Sequence, residues 1–322
     1  MQGLWLEKNV LQYRTDLSIP QPQDNEALVR VLRAGICNTD LELLKGYYPF
    51  TGILGHEFVG QVVQGPAALQ GARVVGEINA ACGQCDYCRR QMSTHCNQRT
   101  VLGIVNRHGA FAEYLTLPIT NLHPVPNHVP NQQATFTEPL AAALEIQEQI
   151  AIGASDRVLV VGDGKLGQLI AQTLALTGCQ LSVVGRHTDK LANLSDHSIT
   201  TYLENELQGK LHSFDIAVEC TGNPQGFDLA RQALRPRGTL VLKSTYAQQL
   251  TLDASAIVVD EITILGSRCG PFAKALDLLA QDRVDVTPLI QASFPLSRGL
   301  DAFAMAQQRG SQKVLLVMAE AE

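Results

Sequence analysis

Asp156-Arg-Val-Leu-Val-Val-Gly-Asp-Gly-Lys-Leu-Gly167 is the stretch that decides the fold of this chain. Its apolar first half predicts a buried strand, and its Gly-x-Gly-x-x-Gly second half predicts a tight turn. Residues 165–177 then carry an apolar face at helical spacing, Gly178 follows, and residues 180–184 read as the next strand. These elements make one complete βαβ unit, which predicts an α/β fold with a doubly wound parallel sheet.

The glycine turn of this unit is typical of dinucleotide binding. Glycines allow the sharp turn and let the backbone approach a pyrophosphate, which rests on the following helix N-terminus. The same spacing occurs in ordinary tight turns, but the strand before it and the helix after it favour the nucleotide interpretation. The predicted cofactor residues of the turn are Gly162, Gly164, Lys165, Leu166 and Gly167.

The end of the second strand indicates which nicotinamide cofactor is used. An acid there would bind the ribose 2′-hydroxyl of NAD, but this chain has Arg186, with Lys190 four residues later. A guanidinium matches a 2′-phosphate, so the sequence favours NADP, with Arg186 and Lys190 as binding residues. NAD remains possible because Asp189 is close by, and Arg186 could also be a solvated loop charge.

Four of the eight cysteines fall in one window, Cys82-Gly-Gln-Cys85-Asp-Tyr-Cys88 followed by Cys96. Four thiolates at this spacing can surround one ion and staple a loop that is too short to build a core. An iron–sulfur cluster uses the same ligands, and disulfides are a third alternative. The ligand set and spacing favour a structural zinc ion.

A second group of potential ligands lies between Ala34 and Gly60, where Cys37 and His56 are separated by several glycines. A catalytic zinc takes three protein ligands and leaves one position open. We expect Cys37 and His56 to hold such an ion, with Thr39 beside the open position. Glu138 precedes a proline near the start of a predicted helix, where it could be a third ligand or a solvated capping residue.

The composition is that of a globular chain with room for two domains. The chain has 322 residues, 45% hydrophobic and 17% charged. A formal net charge of −6 without a block of Lys and Arg argues against nucleic-acid binding. Neither a secretory signal nor an apolar run of about 20 residues is visible. We therefore expect a cytoplasmic protein without membrane or nucleic-acid partners, in which clustered cysteines bind metal.

The rest of the chain divides into segments with different residue patterns. Residues 1–75 alternate like strands and turns and predict a mainly β lobe. Four prolines between Pro118 and Pro130 predict an extended crossing between lobes. Later strands of the parallel sheet are expected at 214–220, 238–242 and 261–266. The tail reads as two helices, near 271–281 and 300–308, and an apolar strand from Lys313.

Together these motifs resemble the zinc-containing medium-chain alcohol and polyol dehydrogenases over essentially the whole chain. Besides the cysteine window and the glycine turn, they include Gly35-Ile-Cys37-Asn-Thr39-Asp40, Gly55-His56-Glu57, Gly109-Ala-Phe-Ala-Glu113-Tyr and Glu138-Pro-Leu. Glu138-Pro-Leu is similar to the threonine, sorbitol and glucose dehydrogenase branch. The resemblance implies a GroES-like β-barrel catalytic domain at 1–138 and 267–322, a Rossmann domain at 139–266, and a homodimer or homotetramer.

The resemblance also implies roles for single residues. The ligands of the catalytic zinc would be Cys37, His56 and either Glu57 or Glu138. Asp40 would contact these ligands without binding the metal itself. Thr39 would relay the substrate proton, with Glu42 at the end of the relay where many relatives have His. Lys313 matches a basic position near the cofactor pyrophosphate.

The predicted function is hydride transfer between an alcohol or polyol, or the matching carbonyl compound, and NADP(H), with two zinc ions per chain. One alternative is a zinc-stabilised NADPH reductase without catalytic metal. Another is a non-catalytic NADPH-binding redox sensor whose cysteine lobe releases zinc on oxidation. The substrate is a small molecule, and Tyr47, Tyr48 and Phe50 are candidates for lining its pocket.

Overall fold

A computed structural model describes residues 1–194, 199–246 and 249–318 of the chain. It separates into two compact units. Unit 1 combines Met1–Glu138 with Phe272–Glu322, and unit 2 is Pro139–Pro271. The return to unit 1 therefore comes at Phe272, five residues after the expected position 267.

Unit 1 is built from β-sheets with mostly antiparallel pairing. A three-stranded sheet has the order β2-β1-β4, a larger one runs β11-β6-β5-β3-β19-β18 with β10 also paired to β3, and a small one runs β7-β8-β9. The strands are β1 (Gly3–Glu7), β2 (Val10–Arg14), β3 (Glu26–Gly35), β4 (Gly52–Ile53), β5 (Glu57–Gln64), β6 (Arg73–Gly76), β7 (Asn79–Ala80), β8 (Thr100–Leu102), β9 (Asn106–Arg107), β10 (Tyr114–Pro118), β11 (Leu122–Pro124), β18 (Ile290–Pro295) and β19 (Lys313–Val317).

Strand β3 organises this unit. Along it, Val29, Val31 and Ala34 are buried in one hydrophobic core with residues of the neighbouring strands. The C-terminal strand β19 pairs antiparallel with the end of β3, placing Leu315 opposite Gly35. As a result, the last described strand of the chain supports the same backbone segment that leads into Cys37.

Few helices accompany these sheets. They are α1 (Asn38–Leu44), α2 (Asp86–Arg89), α3 (Asn131–Ala134), α4 (Thr137–Gln149), which continues into unit 2, α9 (Phe272–Ala280) and α10 (Gly299–Ala306). The expected inter-lobe crossing at 118–130 is wrong. Strand β11 pairs with β6 and Val125 and Val129 are buried, so this proline-rich segment is an integral part of unit 1.

Unit 2 contains the predicted parallel sheet. Its six strands have the order β14-β13-β12-β15-β16-β17, and all five pairings are parallel. The strands are β12 (Arg157–Val161), β13 (Gln180–Gly185), β14 (Thr200–Leu203), β15 (Phe214–Glu219), β16 (Leu234–Leu242) and β17 (Thr263–Gly266). The helices are α5 (Lys165–Ala175), α6 (Thr188–Ala192), α7 (Pro224–Ala233) and α8 (Ala254–Val259). Strand order reverses between β12 and β15, which is where such sheets bind nucleotides.

Across the described ranges, no helix combines the length and the apolarity that a membrane span requires.

Candidate functional site

Cys37 lies at the junction between β3 and α1. Its backbone N–H donates to Asp40 Oδ2 at 2.8 Å, and the Asp40 N–H donates back to the Cys37 carbonyl at 3.2 Å. This reciprocal pair fixes the first turn of the helix. It leaves the Cys37 side chain only partly covered, while Asp40 is fully buried.

His56 and Glu57 lie at the start of β5, and both are buried. The ligand atoms of Cys37, His56 and Glu57 all lie within 4.8 Å of one another. Glycine at position 55 adopts a φ of +96° and its N–H donates to Asp40 Oδ1 at 3.3 Å, so the turn before His56 is held by the carboxylate that also holds Cys37. The sequence-predicted thiol and imidazole are thus brought together.

Two buried polar atoms of this group lack a hydrogen-bond partner within the described residues, namely His56 Nδ1 and Glu57 Oε1. His56 Nδ1 is 3.4 Å from Asp40 Oδ1, but without hydrogen-bond geometry. Burial by itself would lower the pKa of His56, yet the charges of Asp40 and Cys37 raise it well above its ordinary value. A buried thiol, imidazole and carboxylate with unsatisfied atoms and excess negative charge fit a divalent cation, and S, N and O ligands suit zinc.

Lys313 lies in this cluster. Its ammonium is buried and is bound to Glu57 Oε2, with the Ile36 carbonyl at 3.5 Å and the Phe136 ring 5.7 Å away. A Cβ atom on Gly35 would come within 2.5 Å of Glu57 Oε2, so glycine is required for this approach. We expected Lys313 at the cofactor pyrophosphate. In the structure its charge compensates Glu57, because a buried carboxylate needs a neighbouring cation, and the pyrophosphate role stays a prediction.

The remaining predicted residues of unit 1 surround the group. Thr39 Oγ1 is 3.9 Å from Cys37 Sγ. Glu42, three residues further along α1, is paired with Lys45 Nζ at 2.8 Å. Glu138 lies in the first turn of α4, is half-buried, and contributes to the raised pKa of Lys313, but it lies outside the group of mutually close ligand atoms.

Phe50 lines a cavity of about 520 Å³ in unit 1 whose wall also contains Glu26, Arg107 and His108. Neither Cys37, His56 nor Glu57 is among its lining residues. Tyr47 and Tyr48 are largely exposed, at 49% and 43% of their surface. The three aromatic residues considered for the substrate pocket therefore do not form one wall of this cavity.

The four clustered cysteines converge as their spacing predicts. Their sulfur atoms are 3.5 Å (Cys85 to Cys88), 3.8 Å (Cys85 to Cys96) and 4.0 Å (Cys82 to Cys88) apart. These distances exceed the roughly 2.05 Å of a disulfide bond. Sulfurs in a regular tetrahedron around zinc, with Zn–S near 2.3 Å, would be about 3.8 Å apart. The four thiols therefore fit a closed tetrahedral zinc site.

Between residues 82 and 99, Cys96 is the only buried side chain, so this lobe has no hydrophobic core. Hydrogen bonding of the Cys88 backbone N–H to the thiolate is the largest of the effects that lower the pKa of Cys85 to about 6. Burial and the neighbouring thiols raise the pKa of Cys88 to about 12, so the four sulfurs would ionise together only around a cation, and a metal would replace the missing core as the stabilising element.

In unit 2 the three glycines of the turn have different surroundings. Gly162 has a φ of +125°, which a side chain would strain. A Cβ on Gly167 would lie 2.0 Å from the Gly162 carbonyl oxygen, so glycine is needed for helix α5 to pack on the turn. Gly164 is exposed with no atom within 4 Å of its added Cβ, which leaves its backbone open to a ligand. Lys165 and Leu166 open α5 and are partly exposed.

The residues that follow β13 are engaged in polar contacts that the glycine pattern alone does not reveal. Arg186 Nε is 2.7 Å from Glu204 Oε1, and both side chains are nearly half exposed. Asp163, inside the glycine turn, accepts the backbone N–H groups of Arg186 and His187 at 2.7 Å each. Although burial acts to raise it, these donors hold the pKa of Asp163 below its ordinary value. Lys190, the other predicted cation, is buried in α6 and offers less surface to a ligand than Arg186.

Asp163 and Glu204 were not among the predicted site residues. An acid between two glycines of the turn was a usable signal for Asp163. Glu204 follows β14, and only the parallel pairing of β13 with β14 brings it close to Arg186.

A β unit with a group of metal ligands and a parallel sheet with a nucleotide-type glycine turn are the parts expected of a two-domain dehydrogenase. Comparison with known proteins agrees. The sequence model described as "Alcohol dehydrogenase GroES-like domain" matches residues 23–127, and that described as "Zinc-binding dehydrogenase" matches residues 166–281.

Relatives match along nearly the whole chain. An L-threonine 3-dehydrogenase from Legionella pneumophila is 28% identical over 340 residues, covering 98% of this chain and 96% of the relative. An erythritol/L-threitol dehydrogenase from Mycolicibacterium smegmatis is 30% identical, covering 94% of each. A zinc-binding dehydrogenase from Sinorhizobium meliloti 1021, solved with NADP bound, has a TM-score of 0.90 at 26% identity and covers 98% of each chain.

This chain belongs to the zinc-containing medium-chain alcohol and polyol dehydrogenases. The predicted family and the predicted fold, a GroES-like domain with a Rossmann domain, are confirmed. The chain is accordingly an oxidoreductase of the medium-chain class.

Proposed function

We propose that this protein is a zinc-dependent dehydrogenase that transfers a hydride between an alcohol or polyol, or the matching carbonyl compound, and NADP(H). The observation that carries the proposal is the convergence of Cys37, His56 and Glu57, with two buried atoms unsatisfied. The relatives are named as dehydrogenases of threonine and of erythritol and threitol, compounds that carry hydroxyl groups, which supports the reaction class.

The catalytic metal site in this proposal consists of Cys37, His56 and Glu57. The Asp40 carboxylate lies 3.4 Å from His56 Nδ1 and adds negative charge beside the site, and Lys313 balances the second oxygen of Glu57. Glu138 is the alternative third ligand. A zinc ion held there would supply Lewis acidity that lowers the pKa of an alcohol hydroxyl.

The residues beside the ligands handle the proton. Thr39, whose hydroxyl is 3.9 Å from Cys37 Sγ, accepts the substrate hydroxyl proton and passes its own on. Glu42, which is paired with Lys45 on the same helix, is the acceptor at the end of this relay. Bound NADP⁺ would supply the hydride acceptor, so that oxidation of the alcohol to a carbonyl compound would be balanced by reduction of NADP⁺ to NADPH.

Cofactor binding is assigned to unit 2. The turn Gly162–Gly167 and the N-terminus of α5, with Lys165 and Leu166 at the helix start, would hold the pyrophosphate. Arg186 favours NADP, and the residues Gly185 and Arg186 at the end of β13 include no acid of the kind that binds the NAD ribose. The S. meliloti structure, which has NADP bound, supports this choice. The cysteine lobe holds a second, structural zinc.

We also propose that the protein is a homo-oligomer that associates through the edge of its parallel sheet. Strand β17 ends the strand order, and Ile264 on it is exposed. The neighbouring Val258 and Val259 of α8 are 75% and 80% exposed. Exposed apolar residues beside an open strand edge suit a symmetric interface with a second copy.

The deciding experiment measures metal content and turnover together. Zinc-replete enzyme is assayed with NADP⁺ and, in parallel, NAD⁺ on polyols, aldoses, amino alcohols and aryl alcohols. We expect about two zinc ions per chain and NADP⁺-dependent turnover that is lost in Cys37→Ser. About one zinc with activity independent of Cys37 would instead identify a reductase without catalytic metal. Two zinc ions without turnover on any substrate would favour the redox sensor.

A further inference from the structure

The carboxylate of Asp163 lies where β13 ends. Besides the two backbone N–H groups of Arg186 and His187, its Oδ2 atom is 3.0 Å from the ring atom Nδ1 of His187. Asp163 is only 7% exposed. The glycine turn is therefore tied to the residues after β13 by three polar contacts on one carboxylate oxygen.

This carboxylate also excludes a side chain from the end of the strand. A Cβ atom on Gly185, the last residue of β13, would lie 2.4 Å from Asp163 Oδ2. The end of the second strand is where a dinucleotide-binding sheet places the acid that recognises the ribose 2′-hydroxyl. In this chain Asp163 fills that space, and its carboxylate already accepts hydrogen bonds from Arg186 and His187.

His187 presents a second nitrogen to the surface. Its side chain is 38% exposed, and with Nδ1 held by Asp163 the ring directs Nε2 away from that carboxylate. A charged imidazole donates through both nitrogens, to Asp163 through one and to a phosphate oxygen through the other.

Arg186 cannot supply the whole positive charge of this corner, because its Nε is 2.7 Å from the carboxylate of Glu204. We propose that His187, oriented by Asp163, is a second polar contact beside Arg186 for the 2′-phosphate of NADP. Asp163 is a positioning residue in this scheme. The proposal rests on the proposed preference for NADP.

The test compares binding of 2′,5′-ADP and 5′-ADP by calorimetry, using the full-length zinc-loaded enzyme. For His187→Ala we expect roughly tenfold weaker binding of 2′,5′-ADP and less than a twofold change for 5′-ADP. His128→Ala, at an exposed histidine of unit 1, is the matched control and should change neither. Equal losses for both ligands, or no loss, would overturn the role of His187.

Arg186→Ala separates this inference from the cofactor proposal. If the wild-type enzyme does not prefer 2′,5′-ADP, the NADP proposal and the His187 contact both fail. If the wild type prefers it and Arg186→Ala removes the preference while His187→Ala keeps it, only the His187 contact fails.

A double-mutant cycle tests the positioning by Asp163. Asp163→Asn keeps an oxygen for the two backbone donors and removes the charge that holds the imidazole. It should weaken 2′,5′-ADP binding in the wild-type background and have little further effect in His187→Ala. The same loss in both backgrounds would contradict positioning and indicate that Asp163 acts through the backbone of the turn alone.

Discussion

At the scale of single residues, either of two carboxylates could be the third ligand of the proposed catalytic metal. Glu57 lies within the ligand group, whereas Glu138 lies outside it. We predict that Glu57→Gln lowers the affinity of this site for zinc roughly 100-fold and abolishes turnover, because a neutral amide is a poor zinc ligand. Zinc content by mass spectrometry and kcat measure the two effects.

Glu138→Gln is the matched control on the neighbouring helix and should keep about two zinc ions per chain. Because Glu57→Gln also leaves the buried Lys313 without its partner, its folding must be checked by thermal unfolding. A folded Glu57→Gln protein with full zinc, together with zinc loss in Glu138→Gln, would assign the third ligand to Glu138.

Glu204 counteracts the predicted binding of a 2′-phosphate by its neighbour Arg186. Its carboxylate neutralises Arg186 and would repel a 2′-phosphate. We predict that Glu204→Gln tightens NADPH binding about two- to fivefold, the range expected from an exposed ion pair, and leaves NADH binding unchanged. Fluorescence titration measures both, and Glu261→Gln, which breaks the exposed pair with Arg237, is the control. Weaker NADPH binding in Glu204→Gln would contradict this account.

At the scale of elements, the cysteine lobe depends on metal rather than on packing. Cys96 is its only buried residue between positions 82 and 99. We predict that Cys88→Ser with Cys96→Ser lowers zinc to about one ion per chain. Tryptic cleavage at the exposed Arg89 and Arg90 should become at least roughly tenfold faster, because the loop then opens locally. Zinc analysis and a proteolysis time course test this.

The cysteine variant and the Glu57→Gln variant should lose different zinc ions. The cysteine variant should lose the zinc ion that the Glu57→Gln variant retains. Glu57→Gln should leave tryptic cleavage of the lobe unchanged. If the cysteine variant kept two zinc ions, or stayed resistant to trypsin, the structural metal site would be disproved.

Elements defined by local patterns were predictable, and contacts between distant elements were not. The helix predicted at 165–177 is α5 (Lys165–Ala175), because strand, turn and apolar face are all local signals. Strand β18 was missed although its residues alternate between apolar and polar, because the run is short and lies between Pro288 and Pro295. Glu57 and Lys313 are 256 residues apart, and they meet because both β5 and β19 pair with β3. The proline-rich stretch 118–130 was misassigned because extended backbone looks the same in a linker and in a sheet.

At the scale of the whole molecule, β17 leaves an apolar surface at the end of the parallel sheet. Covering it with a second copy would satisfy the strand edge and bury Val258, Val259 and Ile264. We predict that the wild-type protein is a dimer or tetramer in light scattering, and that Val258→Glu with Val259→Glu shifts it to the mass of one chain. Two buried carboxylates without partners would cost more than such an interface gains.

Leu300→Glu is the control for this experiment, because Leu300 is an exposed leucine of unit 1, 48% accessible and remote in sequence from the sheet edge. It should leave the oligomer intact. The circular dichroism spectrum and zinc content of the double variant should match those of the wild type, since neither valine contributes to a core. An oligomer that survives Val258→Glu with Val259→Glu must use another surface, and the exposed edge of β17 would then be excluded as the interface.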